Sequence, residues 1–154
     1  MKQPYRKIYQ ECHDIDWFAI CNNVPIHVAS NGGNVPSQIK SRDNRTVQKY
    51  LANIEVNGNN DIRINQDWLN ELELLEQNDD GIAFDRNTYL HTFVEFAQLG
   101  FVSIDNAIIN EEYHCRIVAF PQNRNDLFKM NNIELPEIPL NELAGVDLNV
   151  WKEK

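Results

Sequence analysis

The chain has 154 residues, 42% of them hydrophobic, and carries 14 Lys and Arg against 23 Asp and Glu, a formal net charge of −9 at pH 7. That length suits one domain spanning 1–154 that buries a real core without staples. The charge balance repels phosphate backbones and anionic lipid and attracts basic partners, which argues against nucleic acid as a ligand.

The first residues, MKQPYRKIYQECHD, are polar and contain no apolar h-region, and no later run approaches the roughly 20 apolar residues of a membrane span. Neither export nor insertion is signalled. Cys12, Cys21 and Cys115 are odd in number and irregularly spaced, which argues against a disulfide framework and for a reducing, cytoplasmic compartment.

From Asp14 to Pro36 the chain reads DIDWFAICNNVPIHVASNGGNVP. Apolar residues alternate on either side of Asn22-Asn23, and Asn tolerates the positive φ that both central residues of a tight two-residue turn require. This predicts a β-hairpin over about 15–30, with Cys21 opposite Val24, Ala19 opposite Ile26 and Trp17 opposite Val28. Cross-strand partners share a side of the pleat, so these six apolar side chains form a core face. The other face, with Asp16, Phe18, Ile20, Pro25, His27 and Ala29, is mixed and is expected to lie partly covered.

Beyond the Asn31-Gly32-Gly33-Asn34 loop, a helix capped by Asp43 is expected, with Val47, Tyr50, Leu51 and Ile54 inward and Arg42, Arg45 and Lys49 on a solvated face. A second helix starts from an Asn65 cap and turns Trp68, Leu69, Leu72 and Leu75 inward; a third is capped by Asp85, buries Leu90, Phe93, Val94 and Ala97, and stops at Gly100. Phe101 to Asp105 and Tyr113 to Phe120 have the β-branched and aromatic content of strands joined through Asn110-Glu111-Glu112. The tail carries Pro121, Pro136 and Pro139; an extended Leu135 to Leu140, a short turn near Asn141 and an edge strand from Val146 to Trp151 are expected. The fold class is α+β: an antiparallel sheet built on the amino-terminal hairpin and packed against roughly three helices.

Motifs with chemical content are few. Cys12-His13 and His114-Cys115 hold the ligand types of a zinc site, but neighbours in an extended chain point to opposite faces and the usual two-to-four spacing is missing. Asp79-Asp80 lacks the ordered oxygens of a calcium loop, and Gly32-Gly33 lacks the Lys and Ser or Thr of a phosphate loop. No metal and no cofactor is expected. His27 and Asp16 are diagonal neighbours on the mixed face, close enough for a carboxylate to orient an imidazole, and beside the Gly32-Gly33 loop they offer a catalytic alternative: a small hydrolase or small-molecule-binding enzyme. Ser30 sits one strand step out of phase with them, and no nucleophile elbow is present.

The remaining signal is electrostatic. Between Ile64 and Asp85 there is no Lys or Arg, while Asp67, Glu71, Glu73, Glu76, Asp79, Asp80 and Asp85 fall in that window. Six of these, Asp67 to Asp80, form a candidate surface that steers a basic protein. In size, acidity and want of catalytic motifs the chain resembles bacterial immunity proteins. That resemblance implies a non-catalytic, cytoplasmic protein-binding module that covers a cationic site on its partner.

Overall fold

The computed structural model describes residues 2–54, 61–76, 84–129, 133–146 and 148. Its elements in chain order are α1 (Lys7–Cys12), β1 (Asp16–Cys21), β2 (Val24–Ala29), α2 (Ser41–Ala52), β3 (Ile62–Ile64), α3 (Gln66–Glu76), α4 (Arg86–Gln98), β4 (Val102–Ile109) and β5 (Glu112–Pro121). The strands form one five-stranded sheet in the order β1-β2-β4-β5-β3. The class is α+β, but the sheet is mixed rather than antiparallel: β2 and β4 run parallel, and the other neighbours are antiparallel. The reason is the connection. A chain that leaves β2, builds helices and returns can lay its next strand alongside in the same direction, which a tight turn cannot do.

The hairpin has the register that the alternation predicts, Cys21 opposite Val24 through Trp17 opposite Val28, with φ of 49° at Asn22 and 64° at Asn23. Its six core-face side chains all enter one cluster with Ile104, Ile117 and Ile138. The mixed face is covered more completely than its polarity suggests. Phe18, His27 and Ala29 are buried there, because α2 and α4 close over them.

Asn65 caps α3 by accepting the Trp68 N–H at 3.2 Å, and Asp85 caps α4 by accepting from the backbone of Asn87 and Thr88. Asp43 is not a cap. Helix α2 begins at Ser41, whose N–H is satisfied by the Gln3 carbonyl at 2.9 Å, so a distant segment takes the capping role and Asp43 instead pairs with Lys2 at 3.0 Å. The short α1 buries nothing, which is why no apolar stripe announced it. The turn between β4 and β5 is tighter than expected, since Glu112 already belongs to β5 and Asn110 and Glu111 take φ of 52° and 69°. Leu140–Glu142 forms the expected short turn as a 3-10 helix. The expected strand from Val146 to Trp151 lies mostly outside the described residues, and no described helix is long and apolar enough to cross a membrane.

Helix α4 ends as its glycine predicts. Gly100 has φ +107°, its N–H bonds to the Ala97 carbonyl at 3.0 Å and the Phe101 N–H to the Phe96 carbonyl at 3.0 Å, the paired bonds of a left-handed helix stop. A Cβ at Gly100 would run into the backbone of Asp126 and Phe128. Gly100→Ala is therefore expected to lose at least about 2 kcal/mol, because it combines a strained φ with a clash against main chain that cannot rotate away. Urea unfolding of the two proteins checks this.

Candidate functional site

Cross-strand register lines up Asp16 of β1, Ala29 of β2, Asp105 of β4 and Arg116 of β5 in one row across the sheet. The parallel pairing decides this. It puts a small side chain, Ala29, between two carboxylates, with Ala107 one pleat further along β4. The space above them is roofed by Tyr89 and Phe93 of α4 and by Leu72 and Glu76 of α3, leaving a cavity of about 470 Å3. Asp14, Asp16, Glu76 and Asp105 line it together with Phe84 and Tyr89, and no described lining residue is Lys, Arg or His. A second cavity of about 440 Å3 on the other side of α4 shares Asp14 and Asp16 and adds Glu95, again without a cation among its described lining.

The deep end of the first cavity is held by a relay of donors. The Trp68 indole N–H donates to Tyr89 Oη at 2.9 Å, and the Tyr89 hydroxyl donates to Asp105 Oδ2 at 2.6 Å. Burial, then the neighbouring Asp105 charge, holds the Tyr89 phenol far above its ordinary range, so it remains a donor. Burial also pushes Asp105 up to about 6, against the pull of the Tyr89 hydrogen bond and reinforced by the negative charge of Asp14. Asp105 is thus a carboxyl group that ionises near neutrality at the base of an acidic hollow.

Asp16 is fixed from beneath. His27 Nε2–H donates to Asp16 Oδ1 at 2.7 Å, and His27 Nδ1 hydrogen-bonds Ser103 Oγ at 2.6 Å. The sequence pairing of His27 with Asp16 is therefore real in geometry, and Ser103, seventy-six residues from His27, is the member that sequence reading missed. No local motif marks Ser103, since only the β2–β4 pairing sets it opposite His27. Neither His27 nor Ser103 has exposed surface, and the His27 ring lies 4.2 Å from that of Phe96 under α4. The enclosed ring holds Asp16 in place through its hydrogen bond. Ser30 is equally enclosed, with its hydroxyl oxygen accepting the Ile15 N–H at 2.7 Å.

The Gly32-Gly33 loop does not join this pair. Gly32 takes φ +79°, while Gly33 is small because Asn106 and Tyr113 press against it. Asn106 follows Asp105 and so lies on the opposite side of the pleat from the acidic hollow.

The acids of α3 separate into two groups. Glu73 receives Arg86 through two nitrogens at 2.7 and 2.8 Å, and this bond holds its carboxyl below the ordinary range. Glu71 lies 3.9 Å from Arg116, whose guanidinium sits 5.8 Å above the Trp68 ring. Asp67 is exposed on the first turn, and Glu76 reaches the cavity. Asp79 and Asp80 lie outside the described residues. Arg86 and Arg116, rather than Arg42, Arg45 or Lys49, meet the acids of α3 among the described residues.

Cys115 is buried, and burial pushes its thiol up to about 11. Cys12 is exposed, and among the described residues no three His, Cys, Asp or Glu side chains come together as a metal site would need.

The Asp105 shift has a sign that can be worked through. A carboxyl whose folded value is raised binds a proton more readily in the folded state, so its contribution is favourable below about pH 4 and is lost as pH rises through about 6. At neutral pH the shift costs up to about 3 kcal/mol. Asp105→Asn keeps an acceptor for Tyr89 and removes the ionisation, so it is expected to raise stability above pH 6 and to flatten the stability profile between pH 4 and 6 relative to the parent. Chemical denaturation across that range measures it, and an unchanged profile would refute the assignment. No family model, no curated protein and no solved structure matches the chain.

Proposed function

We propose that this chain is a non-catalytic binding module for a basic protein, acting in the manner of an immunity protein, and that the hollow between Asp16 and Asp105 receives a cationic side chain of the partner. The observation that carries this reading is the cavity lined by Asp14, Asp16, Glu76 and Asp105 and by no described cation. Glu71 and Glu73 already have cationic neighbours, so the attraction on offer to a partner is concentrated at the hollow rather than along the whole of α3.

The chemistry of the wall suits a guanidinium or ammonium. Phe84 and Tyr89 are 5.6 Å apart, and aromatic faces add attraction to a cation that carboxylates have already drawn in. Asp16 is pre-set by His27, so little side-chain freedom is lost when a cation arrives. Net charge of the same sign over the rest of the molecule speeds encounter with a basic partner and makes it sensitive to salt.

Capture of partners from the native host at low and high salt tests the reading. Binding is expected at low salt and to fall steeply as salt rises. Glu76→Arg is expected to weaken the complex at least about tenfold, as like-charge contact at a desolvated site does, whereas Glu73→Gln, which touches an acid already neutralised, is expected to change affinity less than about threefold. Affinity is also expected to fall as pH drops below about 6, because the cation must then displace a proton from Asp105. A salt-insensitive complex, or one that tolerates Glu76→Arg, would count decisively against this function.

A further inference from the structure

The lining of the acidic hollow discriminates between kinds of cation. At its base Asp105 is 9% exposed, and its Oδ2 is committed to the Tyr89 hydroxyl at 2.6 Å. Among the described residues, the side-chain oxygens that lack a donor and are sealed from solvent belong to Gln38 and Asn44. Asp105 Oδ1 also lacks a donor but is not sealed, so a group that enters the hollow can reach it. Asp14 lines the same hollow and is near enough for its charge to act on Asp105. The wall also carries the rings of Phe84, Tyr89 and Phe93, with Tyr89 5.6 Å from Phe84 and 5.2 Å from Phe93.

A lysine ammonium is a compact, strongly hydrated charge, and it would have to shed that water to pass aromatic rings and reach a buried carboxyl. A guanidinium is more weakly hydrated, stacks on aromatic faces and holds five donors in one plane. It can therefore lie against the rings while its edge serves more than one carboxylate. We propose that the cation received by the hollow is the guanidinium of an arginine rather than the ammonium of a lysine, donating to Asp105 Oδ1 with its plane against the aromatic wall. This rests on the reading of the hollow as a cation site and narrows it to one kind of partner side chain. Asp14, whose charge already bears on Asp105, is the carboxylate placed to take a second edge of the same group.

The test uses the intact chain with N-acetylarginine amide and N-acetyllysine amide as probes, at about pH 7.5, where Asp105 is largely ionised, and at constant low ionic strength. Binding is followed by NMR through the methyl signals of Ala29 and Ala107, which line the hollow. The arginine probe is expected to shift both methyls in a saturable way and to bind at least about fivefold more tightly than the lysine probe, a factor that one desolvated contact between a cation and an aromatic face supplies. Asp105→Asn keeps the acceptor for Tyr89 and removes the charge, and it is expected to weaken arginine binding at least about fivefold. Thermal unfolding of the same samples establishes that the variant is folded. Lysine binding as tight as arginine, or arginine affinity unchanged by Asp105→Asn, overturns the preference and leaves the hollow as a general cation site. If neither probe shifts the methyls, the inference is likewise overturned, whereas the reading it rests on falls only if partner binding also tolerates Glu76→Arg.

Discussion

The parallel pairing of β2 with β4 is the constraint on which the rest depends. It sets Ser103 opposite His27 and Asp105 opposite Ala29, and each juxtaposition has a separate consequence. The first completes the hydrogen bonding of a histidine that could not otherwise be buried, since an imidazole enclosed among Phe18, Phe93 and Phe96 needs partners for both nitrogens. The second places an alanine between two carboxylates and leaves a hollow where a larger side chain would have filled the space. One strand pairing thus both closes the hairpin's mixed face and opens the acidic cavity beside it.

Electrostatic character follows from where cations land rather than from how many there are. In the stretch from Ile64 to Asp85 no cation appears, yet Arg86 folds back from the first turn of α4 onto Glu73, and Arg116 reaches Glu71 from β5. Both pairs are partly solvated and contribute little to stability. Their effect is to redistribute potential: they quiet the middle of α3 and leave Glu76, at its end, grouped with Asp14, Asp16 and Asp105. A buried, raised carboxyl at the base of such a group is an unfavourable arrangement for folding, and it persists because Tyr89, itself held by Trp68, supplies a hydrogen bond to it. Perturbed groups of this kind gather at functional sites more often than elsewhere, which is why the proposed binding site is the hollow rather than the exposed acids.

The pairing of His27 with Asp16 shows how a local pattern can find the right atoms without showing what surrounds them. The alternation of the hairpin placed both on one face, and they meet at 2.7 Å. What alternation does not contain is α4, whose Phe93 and Phe96 cover the ring, or β4, whose Ser103 takes its second nitrogen. A histidine that is open to substrate and one that braces a neighbouring carboxylate look alike in a strand. Only the layer packed above tells them apart.

What the amino-acid sequence determined by itself was whatever depends on contacts a few residues apart. The Asn22-Asn23 turn and hairpin register, the Asn65 and Asp85 caps, the inward stripes of three helices and the Gly100 stop all follow from backbone preferences and side-chain periodicity. Asp43 escaped that logic because a far segment capped α2 in its place, and α1 because it buries nothing. The tertiary structure alone decided the direction of β4 beside β2, the company kept by each acidic side chain, and hence the position of the cavity. These rest on residues some seventy positions apart in the chain, whose meeting is set by which packed arrangement buries the most apolar surface while leaving the fewest polar groups unmet, a property of the whole molecule that no short stretch of it carries.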